Sequence, residues 1–325
     1  MKKILAMLLA LVMVLSLAAC ASTQPAAEPA ASSDAPAESG KTYTVGVCQL
    51  VQHEALDAAT QGFVDALKEA LGDAVTIDVQ NASGDSVNCG TIVNGFVSKG
   101  VDLIMANATP ALTAAVSATA DIPILGTSIT AYGVALDIDD FSGTVGGNVS
   151  GTSDLAQMIL DWFPETKTVG LLFCSAEPNS RYQIDEVRKA LEAQGVTCEE
   201  FAFTDSNDVS SVAQKAADFS DVVYIPTDNT AASNTEAIAN VLIPAGVPAI
   251  CGEEGLCRGC GVATLSISYY DLGVTTGKMA AKILKGEANI SEMPVEYTDA
   301  TPKYNASICD QLGITPLDGY EAIDG

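Results

Sequence analysis

From Gly143 to Asp154 the chain reads Gly-Thr-Val-Gly-Gly-Asn-Val-Ser-Gly-Thr-Ser-Asp, and on each side of it short apolar runs alternate with amphipathic segments. Glycines accept backbone angles that other residues avoid, and Thr152, Ser153 and Asp154 are candidate caps for a following helix. The segment therefore reads as a seam where the chain leaves one lobe and opens a second, similar one.

Before the seam, Tyr43 to Cys48, Val75 to Val79, Val101 to Ala106 and Ile122 to Leu125 are short, apolar and β-rich, which predicts buried strands. Between them, Leu56, Ala59, Phe63, Ala66, Leu67 and Ala70 recur at helical spacing, and further helices are predicted over Val87 to Ser98 and Pro110 to Ala118. After the seam, helices at Leu155 to Trp162, Arg181 to Gln194, Val209 to Asp218 and Ala232 to Pro244 alternate with strands. Those strands are Val169 to Phe173, Val196 to Phe201, Val222 to Ile225 and Val247 to Ile250. This order implies two Rossmann-like α/β lobes, each a parallel sheet with helices on both faces. A strand at Val262 to Ile267 and a helix at Tyr270 to Leu284 are expected to return to the first lobe. Met293 to Tyr297 and a helix near Ser307 to Leu312 are expected to return to the second. The first lobe is then 41–140 plus 264–286 and the second 141–263 plus 287–325, joined by a three-segment hinge.

With 41 acidic and 15 basic residues the 325-residue chain carries a formal charge of −26, without a basic stripe. Nucleic acid is excluded as a natural partner, and an anionic membrane surface would repel the body. Association with a membrane requires an anchor, and the N-terminus supplies a candidate. Lys2 and Lys3 precede a run from Ile4 to Ala19, roughly 16 residues and short for a permanent span, so 1–19 reads as a signal peptide. It ends in Leu17-Ala18-Ala19-Cys20, which resembles a lipoprotein processing site with Cys20 as the acylated residue. Residues 21–40 are nearly all Ala, Ser, Pro, Glu, Thr or Gln and read as a flexible tether, spanning about 25 Å r.m.s..

In open parallel sheets ligands bind beyond the carboxyl ends of the strands. The residues there are Gln49, Gln52, His53, Thr109, Thr127 and Ser128 in the first lobe. In the second they are Ser175, Glu177, Asn179, Thr227, Asp228, Asn229, Glu253 and Glu254. Most are small polar side chains beside helix starts, where free N–H groups favour an anion such as a ligand carboxylate. Each also serves as a plain helix cap, so their clustering on one edge carries the reading. Asp228, Glu253 and Glu254 are candidates to neutralise a ligand ammonium, and equally to be solvated loop acids. Leu50, Val51, Tyr132 and Tyr270 are apolar candidates to cover a ring, or core residues.

Several segments together resemble a known family. They are Val45-Gly-Val-Cys-Gln-Leu-Val-Gln-His-Glu-Ala-Leu-Asp57, Gly147-Asn-Val-Ser-Gly-Thr-Ser-Asp154, Pro226-Thr-Asp-Asn-Thr230, Gly252-Glu-Glu-Gly255 and Tyr269-Tyr-Asp-Leu-Gly-Val-Thr-Thr-Gly-Lys-Met279. From Tyr43 to Ile314 the chain is similar to ABC-transporter substrate-binding proteins that include tryptophan/tyrosine transport proteins. The resemblance implies a type I periplasmic-binding fold, an extracytoplasmic location, and delivery of a small solute, in several members an aromatic amino acid, to a membrane permease. Many members carry glutamate where this chain has Gln52. Other small solutes, such as a nucleoside or sugar, and a sensing role through a membrane partner remain alternatives.

Nine cysteines are present. Cys251, Cys257 and Cys260 lack a nearby fourth ligand for zinc, which leaves a disulfide or free thiols. Gly273-Val-Thr-Thr-Gly-Lys278 lacks the spacing of a phosphate loop, and there is one histidine and no G-x-S-x-G. Neither a cofactor nor a metal is expected. An exported enzyme using Glu253 and Asp228 as an acid/base pair is the remaining catalytic alternative.

Overall fold

The computed structural model describes residues 41–138, 143, 155–296 and 300–323. The expected signal segment, Cys20 with its tether, and the seam apart from Gly143 lie outside the described residues. The first half runs β1 (Tyr43–Gln49), α1 (Glu54–Leu71), β2 (Val75–Asn81), α2 (Ser86–Lys99), β3 (Leu103–Asn107), α3 (Thr109–Ala118), β4 (Ile124–Thr127) and α4 (Tyr132–Leu136). Its four strands pair in parallel in the order β2-β1-β3-β4. Because successive strand side chains point to opposite faces, Leu103 and Met105 enter one core with Phe63, Leu67 and Met279, whereas Ile104 and Ala106 enter the other with Phe96 and Leu112. The continuous apolar runs are thereby explained: both faces are covered.

The second half runs α5 (Leu155–Trp162), β5 (Thr168–Cys174), α6 (Pro178–Glu192), β6 (Thr197–Phe203), α7 (Val209–Phe219), β7 (Val222–Ile225), α8 (Asn229–Ala232), α9 (Thr235–Ala245), β8 (Ala249–Cys251), α10 (Glu254–Cys260) and β9 (Ala263–Ser266). After it come α11 (Tyr269–Leu284), β10 (Thr301–Tyr304), α12 (Ala306–Leu312) and β11 (Glu321–Ala322). The second sheet has the order β11-β10-β9-β8-β7-β5-β6, parallel except where β10 runs against β9. Its strands alternate in the same way, Val169, Leu171 and Phe173 to one core and Leu172 and Cys174 to the other.

Three expectations are corrected. The strand expected to return to the first lobe, β9, instead pairs with both β8 and β10, so its backbone is satisfied within the second sheet and only α11 returns. Met293 to Tyr297 is expected to return the chain to the second lobe, but Met293 and Val295 are buried in the first lobe's cores, and the Val295 N–H donates to the Gly143 carbonyl at 2.8 Å. The chain rejoins the second sheet at β10. The helix expected over 232–244 begins only at Thr235, as α9, and Ala232 instead ends the separate short helix α8; at the break the Ser233 hydroxyl and the Asn234 amide donate to the carbonyls of Asn229 and Thr230, competing with helix continuation.

The return of α11 is secured by an unusually close approach to α1. A Cβ on Gly273 would stand 2.0 Å from the Ala59 carbonyl oxygen, and one on Gly62 would stand 2.1 Å from that of Tyr270. The Thr276 hydroxyl then reaches Thr127 at the end of β4, 3.1 Å away. The glycines of the 273–278 segment are thus helix-packing residues. Gly273→Ala gains helix propensity but overpacks this contact. It is expected to destabilise the fold by about 1–3 kcal/mol, read as a lower midpoint in thermal denaturation.

Candidate functional site

Three carboxylates stand at helix starts along one edge of the second sheet, and the sheet edge brings them together. Asp228 caps α8 by accepting from Ala231 N at 2.8 Å, while its other oxygen accepts from Cys174 N at 2.6 Å, at the end of β5. Glu253 caps α10 by accepting from Leu256 N and, at 2.7 Å, from Gly255 N. Glu177, at the start of α6, does not cap its own helix but turns to α8. There it accepts from Asn229 N at 3.0 Å, Asn229 Nδ2 at 2.7 Å, Thr230 N at 2.9 Å and the Thr230 hydroxyl at 2.8 Å. All three are buried. Each is satisfied by hydrogen bonds rather than by a cation.

Opposite this edge lie His53, at the N-terminus of α1, and Ser128, just past β4. Together with Asn179, Asp228, Glu253 and Tyr269 they line a narrow cavity with about 290 Å³ of empty space. As the side chains stand, it admits little more than a water molecule. Direct contacts cross from lobe to lobe around it. His53 Nε2 lies 3.3 Å from Asn229 Oδ1, Gln183 Nε2 donates to Thr130 Oγ1 at 3.3 Å, and Arg258 of α10 pairs with Glu54 of α1. The lobes are closed on each other.

The expected residues separate into two groups. His53, Ser128, Asn179, Thr227, Asp228 and Asn229 line the cavity. Gln49 is turned into the first lobe, where it donates to Asp57 and accepts from Thr60, each at 2.6 Å. Gln52 is exposed. Thr109 is buried in the first turn of α3, Thr127 is engaged by Thr276, and the Ser175 hydroxyl donates to the Phe203 carbonyl at 3.2 Å. Glu254 pairs with Arg258 at 2.8 Å and Lys303 at 2.6 Å in a wider neighbouring cleft. Of the candidate ring covers, Leu50 and Val51 line a second cleft between the lobes, Tyr132 is buried, and the Tyr270 hydroxyl donates to Asp65 at 3.2 Å. Cys251, Cys257 and Cys260 are buried as thiols in the second lobe's core.

Sequence reasoning missed Thr130, Gln183 and Tyr269. Gln183 lies one helical turn beyond Asn179 on α6, and that spacing was the available signal. Two residues of this edge carry backbone strain. Ala108 has φ 86° and Ser128 φ 55°, both in the region that favours glycine, and the Ala108 N–H donates to the Thr127 carbonyl at 3.0 Å. Among the described residues, two polar atoms of cavity-lining side chains have no hydrogen-bond partner, Ser128 Oγ and Asn179 Oδ1.

Residues 44–319 match the family described as ABC transporter substrate binding protein. The chain is 32% identical over 313 residues to a tyrosine-binding protein of Clostridioides difficile strain R20291, covering 92% of this chain and 89% of the relative. Among solved structures it is similar to an ABC domain from Streptococcus pneumonia in complex with L-Trp, at 30% identity and a TM-score of 0.82, covering 87% of this chain and all of that one. A ligand-free, open substrate binding protein with adhesive properties from Clostridium difficile is 31% identical, with 87% and 99% covered, but its TM-score is 0.65. Identity and coverage are nearly equal in the two comparisons, and the chain as a whole superposes better on the L-Trp complex than on the open, ligand-free protein.

The electrostatics of the closed cavity give a pH dependence. Burial, and then the charge of Glu177, push Asp228 up to about 8; burial pushes Glu253 up to about 7 against the pull of its capping N–H groups. Burial holds His53 below its usual range, so it is neutral near pH 7. Carboxyls with raised folded-state pKa values take up protons on folding, so their contribution is greatest in acid and is lost as pH rises toward 8. The lowered histidine acts oppositely, but only below about pH 6.5. The thermal midpoint of the ligand-free protein is therefore expected to fall between pH 6.5 and 8, with a shallower slope in Asp228→Asn. A flat profile in both proteins would contradict this assignment.

Proposed function

The chain belongs to the ABC transporter substrate binding proteins, and from that premise we propose that it captures an aromatic amino acid between its lobes and delivers it to a membrane permease. The observation that carries this reading is the contact of the two lobes across the cavity, and the better overall superposition on the L-Trp-bound relative than on the open, ligand-free one supports it. The tyrosine-binding relative supports the same solute class. The family is one of solute-binding proteins, not enzymes, and the buried acids accordingly serve binding. Asp228 and Glu253 favour a ligand ammonium; the free N–H groups at the start of α1, where His53 offers no side-chain cap, favour a carboxylate. Leu50 and Val51, lining the cleft with Pro110, supply apolar cover for a ring.

Entry requires the lobes to part, because contacts between them close over the cavity, and seating an amino acid requires its lining side chains to turn aside. Hinge motion at the chain crossings between the lobes, one of them at Ile267 and Ser268, supplies the opening. A ligand bridging His53 or Ser128 on one side and Asn179 or Asp228 on the other touches both lobes only when they close, and so shifts the population to the closed state. The closed body is what the permease receives. In this reading residues 1–19 direct export, Cys20 carries the lipid, and the tether lets the extracytoplasmic body reach the permease.

Native mass spectrometry of residues 41–325, stripped of ligand and offered the proteinogenic amino acids with a nucleoside and sugar panel, tests the solute class. A one-to-one adduct with tryptophan, tyrosine or phenylalanine is expected; a nucleoside or sugar adduct instead would overturn the assignment. Asp228→Asn preserves much of the capping but removes the charge, and is expected to weaken binding about tenfold or more by calorimetry. Cys20→Ser is expected to move the exported full-length protein from the membrane fraction to the soluble one.

A further inference from the structure

Asn179, the second residue of α6, is only 5% exposed, and its amide orientation is fixed by its surroundings. Nδ2 donates to the Thr227 carbonyl at 2.9 Å, with Glu177 Oε2 at 3.3 Å and Ser180 Oγ at 3.4 Å. Turning the amide over would set its oxygen against a carbonyl and a carboxylate, neither of which can donate. Asn179 lines the interlobe cavity, and its Oδ1 is therefore left, among the described residues, without a hydrogen-bond partner. An acceptor buried in this way destabilises the closed state until a donor reaches it.

Once a ligand displaces water from the cavity, that donor has to come from the ligand, and the cavity defines its kind. The opposing unpartnered atom, Ser128 Oγ, can donate or accept, but it belongs to the other lobe, and no hydrogen bond joins it to Asn179. Asp228 and Glu253 line the same space with their oxygens on backbone N–H groups, and neither lysine nor arginine lines it. A cationic donor is favoured there because it holds both acids in their ionised form, which a neutral hydroxyl or amide does not do. A primary ammonium, with three N–H groups and a positive charge, meets the fixed acceptor and the field together.

We infer that Asn179 is the specificity-determining acceptor for a primary ammonium group, so that the site takes amino acids and rejects their deaminated acids. This rests on the reading of the cleft as an amino-acid site and adds the residue that reads the amine. Exposed Gln52 takes no part in it.

Calorimetry with matched ligand pairs tests the inference: L-tyrosine against 3-(4-hydroxyphenyl)propanoate, and L-tryptophan against indole-3-propanoate. The wild type is expected to prefer the amino acid by about 100-fold or more. Asn179→Ala is expected to weaken amino-acid binding about tenfold or more while changing the deaminated acid by less than about threefold. Equal losses for both members of a pair would mark Asn179 as merely structural and overturn the inference. So would a wild type that binds the deaminated acid as tightly, a comparison needing no variant. If the wild type instead binds a non-aromatic amino acid, the solute assignment fails, and the same ratio with that amino acid and its deaminated acid still decides the role of Asn179. A ligand without a primary ammonium, or no binding across the panel, would sink both.

Discussion

The cleft depends on the buried carboxylate of Glu177. Four donors from Asn229 and Thr230 converge on it, and it fixes the start of α8 relative to α6. The side chains that Asn229 and Asn179 present to the other lobe follow from that contact. Asn229, its Nδ2 committed to Glu177, turns Oδ1 toward His53, and Asn179, its Nδ2 committed to Thr227 and Glu177, lines the cavity with Oδ1 left unpartnered among the described residues. Removing the carboxylate would leave several buried N–H groups unpaired at once, and charge-assisted bonds of this kind are the costly ones to break.

The first lobe answers with packing rather than charge. Its edge is positioned by α11, which lies so close to α1 that only glycine fits at Gly62 and Gly273 without displacing the opposing backbone. The same helix holds β4 through Thr276 and Thr127, and its first residue, Tyr269, lines the cavity. A helix that arrives from the second lobe's last parallel strand thus helps shape the first lobe's half of the cleft. Chain crossing and site geometry are the same structural fact.

Closure brings together groups that are individually modest. The His53–Asn229 and Gln183–Thr130 contacts are long, and the Arg258–Glu54 pair is partly exposed, where solvent screens it. The lobes therefore meet without being locked, as a protein that must release its ligand requires. The buried acids add a cost to the empty closed state that a cationic group on the ligand would offset.

Much of the fold was legible in the sequence because strands covered on both faces must be continuously apolar and helices must repeat at 3.6 residues. Strand 222–225 and helix 155–162 were placed to the residue, and the two-lobe order followed. The short α10 was missed: Gly255 and Gly259 fall within its seven residues, so local propensity argues against a helix that the Glu253 cap and close packing on α9 hold in place. The lobe to which β9 belongs could not be read either, since a buried strand is apolar whichever sheet receives it. In the site, the rule that ligands lie beyond strand ends gathered Asp228, Asn229, Asn179, Ser128 and His53, but it also gathered Gln49 and Thr127, which turn inward. The sequence by itself determined the alternation, the acid-rich composition and which loops crowd the cleft, because those depend on local periodicity and chain order. Tertiary structure alone decided which polar atoms there are already satisfied and which await a ligand, because hydrogen-bond partners distant in the chain are chosen only when the lobes fold and meet.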